Sequence, residues 1–436
     1  MKIELNNQNY CASIIKIKNI IILENCDNIV HTKIFGNSVL ISKDVKVDDI
    51  GIYFPIETCL SKEFLSNNNL YRDKTLNIDQ DKAGFFELSG RVKCMKMRGS
   101  KSEGLWIPIE SLSYLNVDLS TLKEGSEFNV IDQHEICKKY QVEKKTPNNL
   151  TKKDRTENRK TRFNKIINNQ FRFHFDTAQL AKNLHRFEID TIISISEKLH
   201  GCAHTSGNIL CNKKLSIKDK IAKFLGVNII TTEYDNIYSS RKVIKNQYIY
   251  ETENKSYYPD DIWKEANNDL KHRISKGLTI YGEIVGYLPS GGGIQGKYDY
   301  GCKPKEHQVY VYRITHTDVE GNVFEYSSLQ VRDFCLINKI KSVPIHYHGT
   351  VEKFLIQNKI DVCIGWRDKF VDTLIELYLE KNCSICKNKK MPNEGIVVRI
   401  EGLDIQAYKL KSFRFNLKES KNLDKGVVDL EADESI

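Results

Sequence analysis

Between Lys138 and Lys165 the chain carries eleven Lys and Arg against only Glu143, Asp154 and Glu157, an excess that accounts for eight of its nine formal positive charges. So charged a stretch, with Pro147 and several Asn in it, cannot bury enough apolar surface to hold a core of its own. It divides the 436 residues into two bodies, each long enough to fold alone. Outside it the protein is nearly neutral. Such a run serves as a solvated linker or as an arm for a polyanion, and the two roles are compatible.

The first body reads as short strands separated by turns: Ala12–Ile17, Val30–Ile34, Ser38–Ser42, Gly51–Pro55, Phe85–Leu88 and Val92–Met97. Gly36-Asn37 suits a two-residue hairpin turn. Strands at this spacing predict a small closed barrel. Its most basic part is Arg91, Lys93, Lys96, Arg98 and Lys101, running into Ser102-Glu103-Gly104-Leu105. Basic residues along a strand can follow a phosphate backbone, as in OB-folds, or simply face solvent.

The second body mixes strands and helices, an α+β pattern. Asp190 to Ser196 is a strand-like run that ends in Glu197-Lys198-Leu199-His200-Gly201. Alternation places Lys198 on the side of Ser194 and Ser196, and Gly201 allows close backbone approach. Alone, such a lysine is usually an ordinary snorkelling strand end. Thr177–Leu184 is expected to be a helix, and Asn208–Cys211, Leu278–Tyr287, Gln308–Thr315 and Gly395–Ile400 strands. Asp260 or Asp261 can cap a helix carrying Ile262, Ala266 and Leu270. Phe370, Leu374, Leu377 and Tyr378 mark an amphipathic core helix. Ser290 to Gly296 reads as a mobile glycine loop; it lacks the ending of a phosphate loop. Cys383 and Cys386 have no second pair at zinc spacing.

Further residues lie in a set order: Ser240-Arg241, Glu283 within an apolar strand, Tyr312, Glu394-Gly395 opening another apolar strand, and Lys409-x-Lys411 on one strand face. Singly each has a plain structural explanation. Together, over about residues 172 to 420, they resemble the covalent nucleotidyltransferase superfamily of ligases and capping enzymes. Lys198-Leu199-His200-Gly201 looks like its first motif, with His where many members have Asp. That variant is similar to nick-sealing RNA ligases, including kinetoplastid RNA-editing ligases. Residues 96 to 105 resemble the OB module of RNA ligases that carry it at the N-terminus.

The resemblance implies an ATP-dependent RNA ligase for nick repair. Lys198 would attack the α-phosphorus of ATP and carry AMP, which then passes to a 5′-phosphate before a 3′-OH displaces it. Freeing a lysine of ordinary pKa about 10.4 near neutrality takes roughly 4 kcal/mol of differential interaction, which nearby cations and burial can supply. His200, Lys409 and Lys411 join Lys198 as catalytic residues. Glu197, Leu199, Gly201, Arg241, Glu283, Tyr312 and Glu394 would bind the nucleotide with the two lysines. Glu394 would also hold Mg²⁺ or Mn²⁺, and Arg91, Lys93, Lys96, Arg98 and Lys101 would bind nucleic acid.

DNA ligases and capping enzymes of this superfamily place an OB domain after the Lys-x-Lys motif. Here 25 residues follow Lys411, which favours the N-terminal-barrel RNA ligases. The alternatives are a nucleic-acid-binding protein with an inactive ligase-like domain and a capping guanylyltransferase. The expected division is an OB-like domain at 1–135, a basic linker at 136–170, an adenylyltransferase domain at 171–421 and an acidic tail at 422–436. The partner is RNA or an RNA-containing duplex with 3′-OH and 5′-phosphate ends, bound by a monomer. Twelve scattered cysteines, with no signal peptide and no membrane segment, imply an intracellular chain with reduced thiols.

Overall fold

The computed structural model describes residues 1–24, 26–142, 165–246, 260–363 and 365–427. The N-terminal body is built on β1 (Ala12–Lys16), β2 (Ile29–Ile34), β3 (Asn37–Ser42), β4 (Ile50–Phe54), β5 (Leu105–Pro108) and β6 (Glu127–Phe128). An antiparallel sheet runs β6-β1-β4-β5. Its one face packs Ile14, Ile52 and Phe54 on Phe64, Leu112 and Phe128. On the other, the β2–β3 hairpin lays Val30, Ile34, Val39 and Ile41 over Tyr53 and Trp106. Tyr53 and Phe54 are neighbours that feed opposite clusters, as strand alternation requires.

Two local expectations are corrected. Ile34 pairs with Asn37, so the hairpin turn is Phe35-Gly36, both at positive φ (51° and 73°). Such turns follow the strand twist only with both central residues there. Phe35 tolerates this with its ring edge-on to Tyr53 at 5.9 Å. Phe85–Leu88 is not a strand, because the amides of Phe85 and Phe86 both turn to the Leu70 carbonyl, at 3.0 and 2.8 Å.

The second body contains β7 (Ala178–Gln179), β8 (Ile192–Lys198), β9 (Cys202–Asn212), β10 (Thr232–Ser239), β11 (Leu278–Gly286), β12 (His307–Thr317), β13 (Val323–Glu325), β14 (Ile345–Thr350), β15 (Gly395–Ile400) and β16 (Gln406–Lys411). Its helices include α1 (Ile217–Phe224), α2 (Ile262–Leu270), α3 (Ser328–Ile337), α4 (Trp366–Leu374) and α5 (Phe413–Asp424). One sheet runs β7-β16-β15-β8-β14 and the other β10-β9-β11-β12-β13. Helix α4 covers Ile193, Ile195, Ile396 and Val398 of the first with Phe370 and Leu374. Helix α2, capped by the Asp261 side chain, covers Ile280, Ile284 and Val311 of the second. The expected helix at Thr177–Leu184 is absent. Ala178 and Gln179 instead pair in parallel with Tyr408 and Lys409, and the Leu180 amide donates to the Lys409 carbonyl at 3.0 Å. An open sheet edge outcompetes local helix propensity there.

The two bodies are joined at Arg91. Its side chain is 1% exposed and bonds Glu57 at 2.9 Å, Asp424 at 2.5 Å and the Ser420 carbonyl at 3.0 Å. Lys93 pairs with Glu87 at 2.7 Å and Asp424 at 2.9 Å. Both of these expected nucleic-acid contacts are held in ion pairs at the joint with α5. Asp424 is correspondingly the end of a docked helix rather than part of a loose tail. Arg91→Ala removes a buried guanidinium, strands the partly buried Glu57 carboxylate and should cost about 3 kcal/mol. Thermal unfolding should shift down and protease should cut α5 faster, whereas Lys96→Ala should change neither.

The same joint carries a pH-sensitive group. Burial pushes the Glu103 carboxyl up to about 7, although Asn416 Nδ2 donates to it at 3.1 Å from α5. The folded chain therefore keeps a proton that the unfolded chain releases between pH 4.5 and 7. This contribution is full below the window and is lost as pH rises through it, by up to ~1.4 kcal/mol per unit. Glu103→Gln should flatten that portion of a stability–pH curve followed by thermal unfolding.

Candidate active site

Lys198 is the last residue of β8, and the chain crosses from one sheet to the other between it and Cys202. Two glycines make the crossing possible. A Cβ on Gly201 would sit 2.2 Å from the Ile284 carbonyl, and one on Gly395 would sit 2.1 Å from the Leu410 carbonyl. Gly395 pairs with both Lys198 and Lys411. It thus draws β8 and β16 to the same point.

Next to Gly395, the Glu394 side chain is 1% exposed and receives two lysines. Lys198 Nζ is 2.7 Å and Lys411 Nζ 3.4 Å from its Oε1. The Lys198 side chain remains 15% and that of Lys411 30% exposed, so both amines reach the space between the sheets. A cavity of about 360 Å³ opens there, within the range of small-ligand sites. Lys198, Leu199, Arg241, Glu283, Tyr312 and Lys409 line it, with Glu197, Lys411 and Arg399. Residues expected from separate stretches of sequence are thus brought together.

Each has a supporting contact. Glu283 Oε1 accepts the Gly201 amide at 3.0 Å, fixing the crossing loop to β11. Tyr312 and His174 Nδ1 share a hydrogen bond of 2.7 Å. Arg241 pairs with Asp176. Burial alone would raise the Asp176 carboxyl, but the guanidinium outweighs it and holds the group below its usual range. Glu197 turns into the packed side of β8, where Ser384 Oγ donates to it at 3.2 Å and burial raises its carboxyl.

His200 occupies a different place from Lys198. Its amide donates to the Tyr300 hydroxyl at 2.7 Å, and its ring stands edge-on to Tyr298 and Phe415, at 5.3 and 4.9 Å. Nδ1 lies 3.9 Å from Glu394 and Nε2 3.7 Å from Glu419 of α5. It props Glu394 from behind rather than lining the cavity with Lys198.

Sequence reasoning missed His174, Phe175 and Asp176, which border the cavity. The alternating aromatics of Phe171-Arg172-Phe173-His174-Phe175 were the available signal. It also missed Asn9, Tyr10 and Lys139, by which the N-terminal body reaches the same cavity. Nothing local marks Asn9 or Tyr10, and Lys139 stood out only as part of the basic run from Lys138.

The glycine loop is anchored rather than mobile. Ile294 is buried, its amide donates to the Gly286 carbonyl at 3.0 Å, and Gln295 Nε2 donates to the Gly201 carbonyl at 2.9 Å. Cys383 and Cys386 are buried free thiols, the Cys386 amide donating to Cys383 Sγ at 3.4 Å. Lys96, Arg98 and Lys101 lie exposed on the hairpin formed by Cys94–Met97 and Ser100–Glu103. Lys101 reaches back over the Phe413 ring at 4.8 Å.

The RNA ligase family matches residues 191–411, and an OB-fold domain family matches residues 11–109. No curated protein matches the chain. Among solved structures it is similar to Naegleria gruberi RNA ligase with pyrophosphate, at 15% identity and a TM-score of 0.57, covering 95% of this chain and 99% of that one. It is similar to a mutant of that enzyme with AMP and Mn, at 14% identity and a TM-score of 0.55, covering 93% and 98%. A further mutant, with ATP and Mn, gives 14% identity and a TM-score of 0.56, covering 95% and 100%. At these identities the likeness is one of fold. It bears out an α+β chain with an N-terminal OB-fold.

Proposed function

The chain belongs to the RNA ligase family, and on that premise we propose that it seals 3′-OH and 5′-phosphate ends through an AMP carried on Lys198. The observation that supports this most is the convergence of Lys198 and Lys411 on the buried Glu394 carboxylate, at 2.7 and 3.4 Å, beside a nucleotide-sized cavity. ATP and Mn accompany the similar Naegleria enzyme, and the residues here fit both.

In the first step an N–P bond forms between Lys198 Nζ and the α-phosphorus of ATP. The bond from that phosphorus to the bridging oxygen breaks, and pyrophosphate leaves. Glu394 Oε1 lies within hydrogen-bond reach to hold the proton that Nζ gives up. Lys409 and Lys411, on one face of β16, neutralise charge on the phosphates. Tyr312 stacks on adenine with its hydroxyl tied to His174, and Glu283 holds the ribose. Arg241 meets the phosphates or the nucleic-acid end.

Among the described residues no cluster of three or more His, Cys, Asp or Glu is arranged around a metal. A divalent ion would therefore take Glu394 and complete its shell with phosphate and water oxygens, as Mg²⁺ commonly does. It would supply charge neutralisation for the phosphates and favour the neutral amine of Lys198.

The AMP then passes to a 5′-phosphate, and a 3′-OH displaces it. Lys96, Arg98 and Lys101 would hold the duplex backbone. The test is incubation with α-labelled ATP or GTP and Mg²⁺ or Mn²⁺, followed by nicked duplexes with RNA or DNA on the 3′-OH side. Acid-labile label from ATP and sealing of RNA-ended nicks are expected. Preferential labelling by GTP would instead mean capping, and a folded protein that takes no label would overturn the proposal.

A further inference from the structure

Helix α1 is an anomaly in an otherwise packed domain. It starts with a capping box between Ser216 and Asp219, yet none of its residues is buried. Ile217, Ile221, Phe224 and Leu225 recur at i, i+4, i+7 and i+8, a spacing that places them in one stripe. All four are more than half exposed, as are Val227 and Ile230 just beyond. An eight-residue helix with an uncovered apolar stripe gains little from water and is marginal in isolation. It needs a cover, and no residue from Asn212 to Asn236 is buried by the rest of the described chain.

The polar residues say what the cover is. Lys218 and Lys220 flank the stripe on its two sides, with Lys213, Lys214 and Lys223 close by and Asp219 the lone acid from 213 to 230. Apolar side chains bordered by lysines whose stems can reach outward are the pattern of a helix lying in a lipid interface. The apolar set also continues through Gly226 onto the non-helical residues Val227 and Ile230. A protein groove shaped for a helix would be interrupted there, whereas a fluid lipid surface accepts side chains from any backbone. Among the described residues no helix is long and apolar enough to cross a membrane, and this segment would lie on one instead.

We propose that the stretch from Lys213 to Ile230 docks the ligase on an anionic lipid surface, with Ile217, Ile221, Phe224 and Leu225 inserted and the lysines at the headgroups. The segment lies outside the catalytic machinery, so binding and sealing are separable.

The test is flotation of the full chain with vesicles of phosphatidylcholine alone or mixed with phosphatidylserine. Roughly tenfold more protein should float with the anionic vesicles, and added salt should reduce this. Ile221→Asp combined with Phe224→Asp should abolish flotation while nick sealing in solution is unchanged. Lys218→Glu with Lys220→Glu should erase the preference for phosphatidylserine. Equal flotation of the wild type and the Asp double variant would overturn the proposal, as would no flotation at all. So would concentration-dependent self-association, in sedimentation velocity, that the Asp variant removes; a second copy would then be the cover.

Discussion

Lys198→Ala should take no label from α-labelled ATP and should lose sealing of 5′-phosphate nicks by on the order of 10⁴-fold or more, since no other group can replace a covalent nucleophile. The loss should be confined to steps that need the amine. On a strand supplied already adenylylated at its 5′-phosphate, the N–P bond has no part, and the variant should still join it to a 3′-OH. A structural role for Lys198 predicts something else. Removing it leaves Glu394, whose side chain is 1% exposed, without its nearest cation, so a collapsed site would lose both activities together. Retained sealing of the adenylylated strand separates the two. If Lys198→Ala took label at the wild-type rate, another residue would be the nucleophile.

Glu325→Ala should be the most damaging single change to stability away from the nucleophile. Glu325 sits on β13 with its side chain 4% exposed, between Arg313 at 7% and Arg399 at 6%. Arg313 Nε donates to it at 3.0 Å, and Arg399 Nη2 lies 3.9 Å away. Removing the carboxylate leaves two buried guanidinium groups short of an anion, a loss of about 3–5 kcal/mol. In a domain of this size that lowers the melting transition by on the order of 10 °C. Both arginines also line the cavity proposed to take ATP, so ATP labelling should weaken as well. Glu325→Gln, which keeps the shape and some hydrogen bonding, should fall between. A change in melting temperature within a degree or two for Glu325→Ala would mean that Glu401, 3.6 Å from Arg399, carries the charge balance instead.

The legible parts of this chain were those in which local chemistry and final structure agree. Asp261 caps the helix it precedes, and the run into Lys198 is a strand because its alternation serves a sheet with one packed face. The spacing of Lys409 and Lys411 placed both on one side of β16. Glu283, Tyr312 and Glu394 carried meaning only through their order along the chain. What failed was decided by distant partners. Residues 177 to 184 look helical until β16 offers them an edge, and Arg91 looks like a phosphate ligand until Glu57 beside it and Ser420 and Asp424 of α5 take up its guanidinium. The sequence holds no local mark for Asn9 or Tyr10 at the cavity, because the barrel reaches that cavity only after both bodies have docked; Lys139 was marked only as one cation of the basic run.

Helix α5 begins immediately after Lys411, with Ser412 as its cap, and ends at the Asp424 that grips Arg91. Its 12 residues make a rod of roughly 18 Å, fixed at one end to Lys411 and at the other to the barrel. The two bodies are therefore not beads on a loose string. A load placed on the barrel at Arg91 meets a helix whose far end is continuous with Lys411.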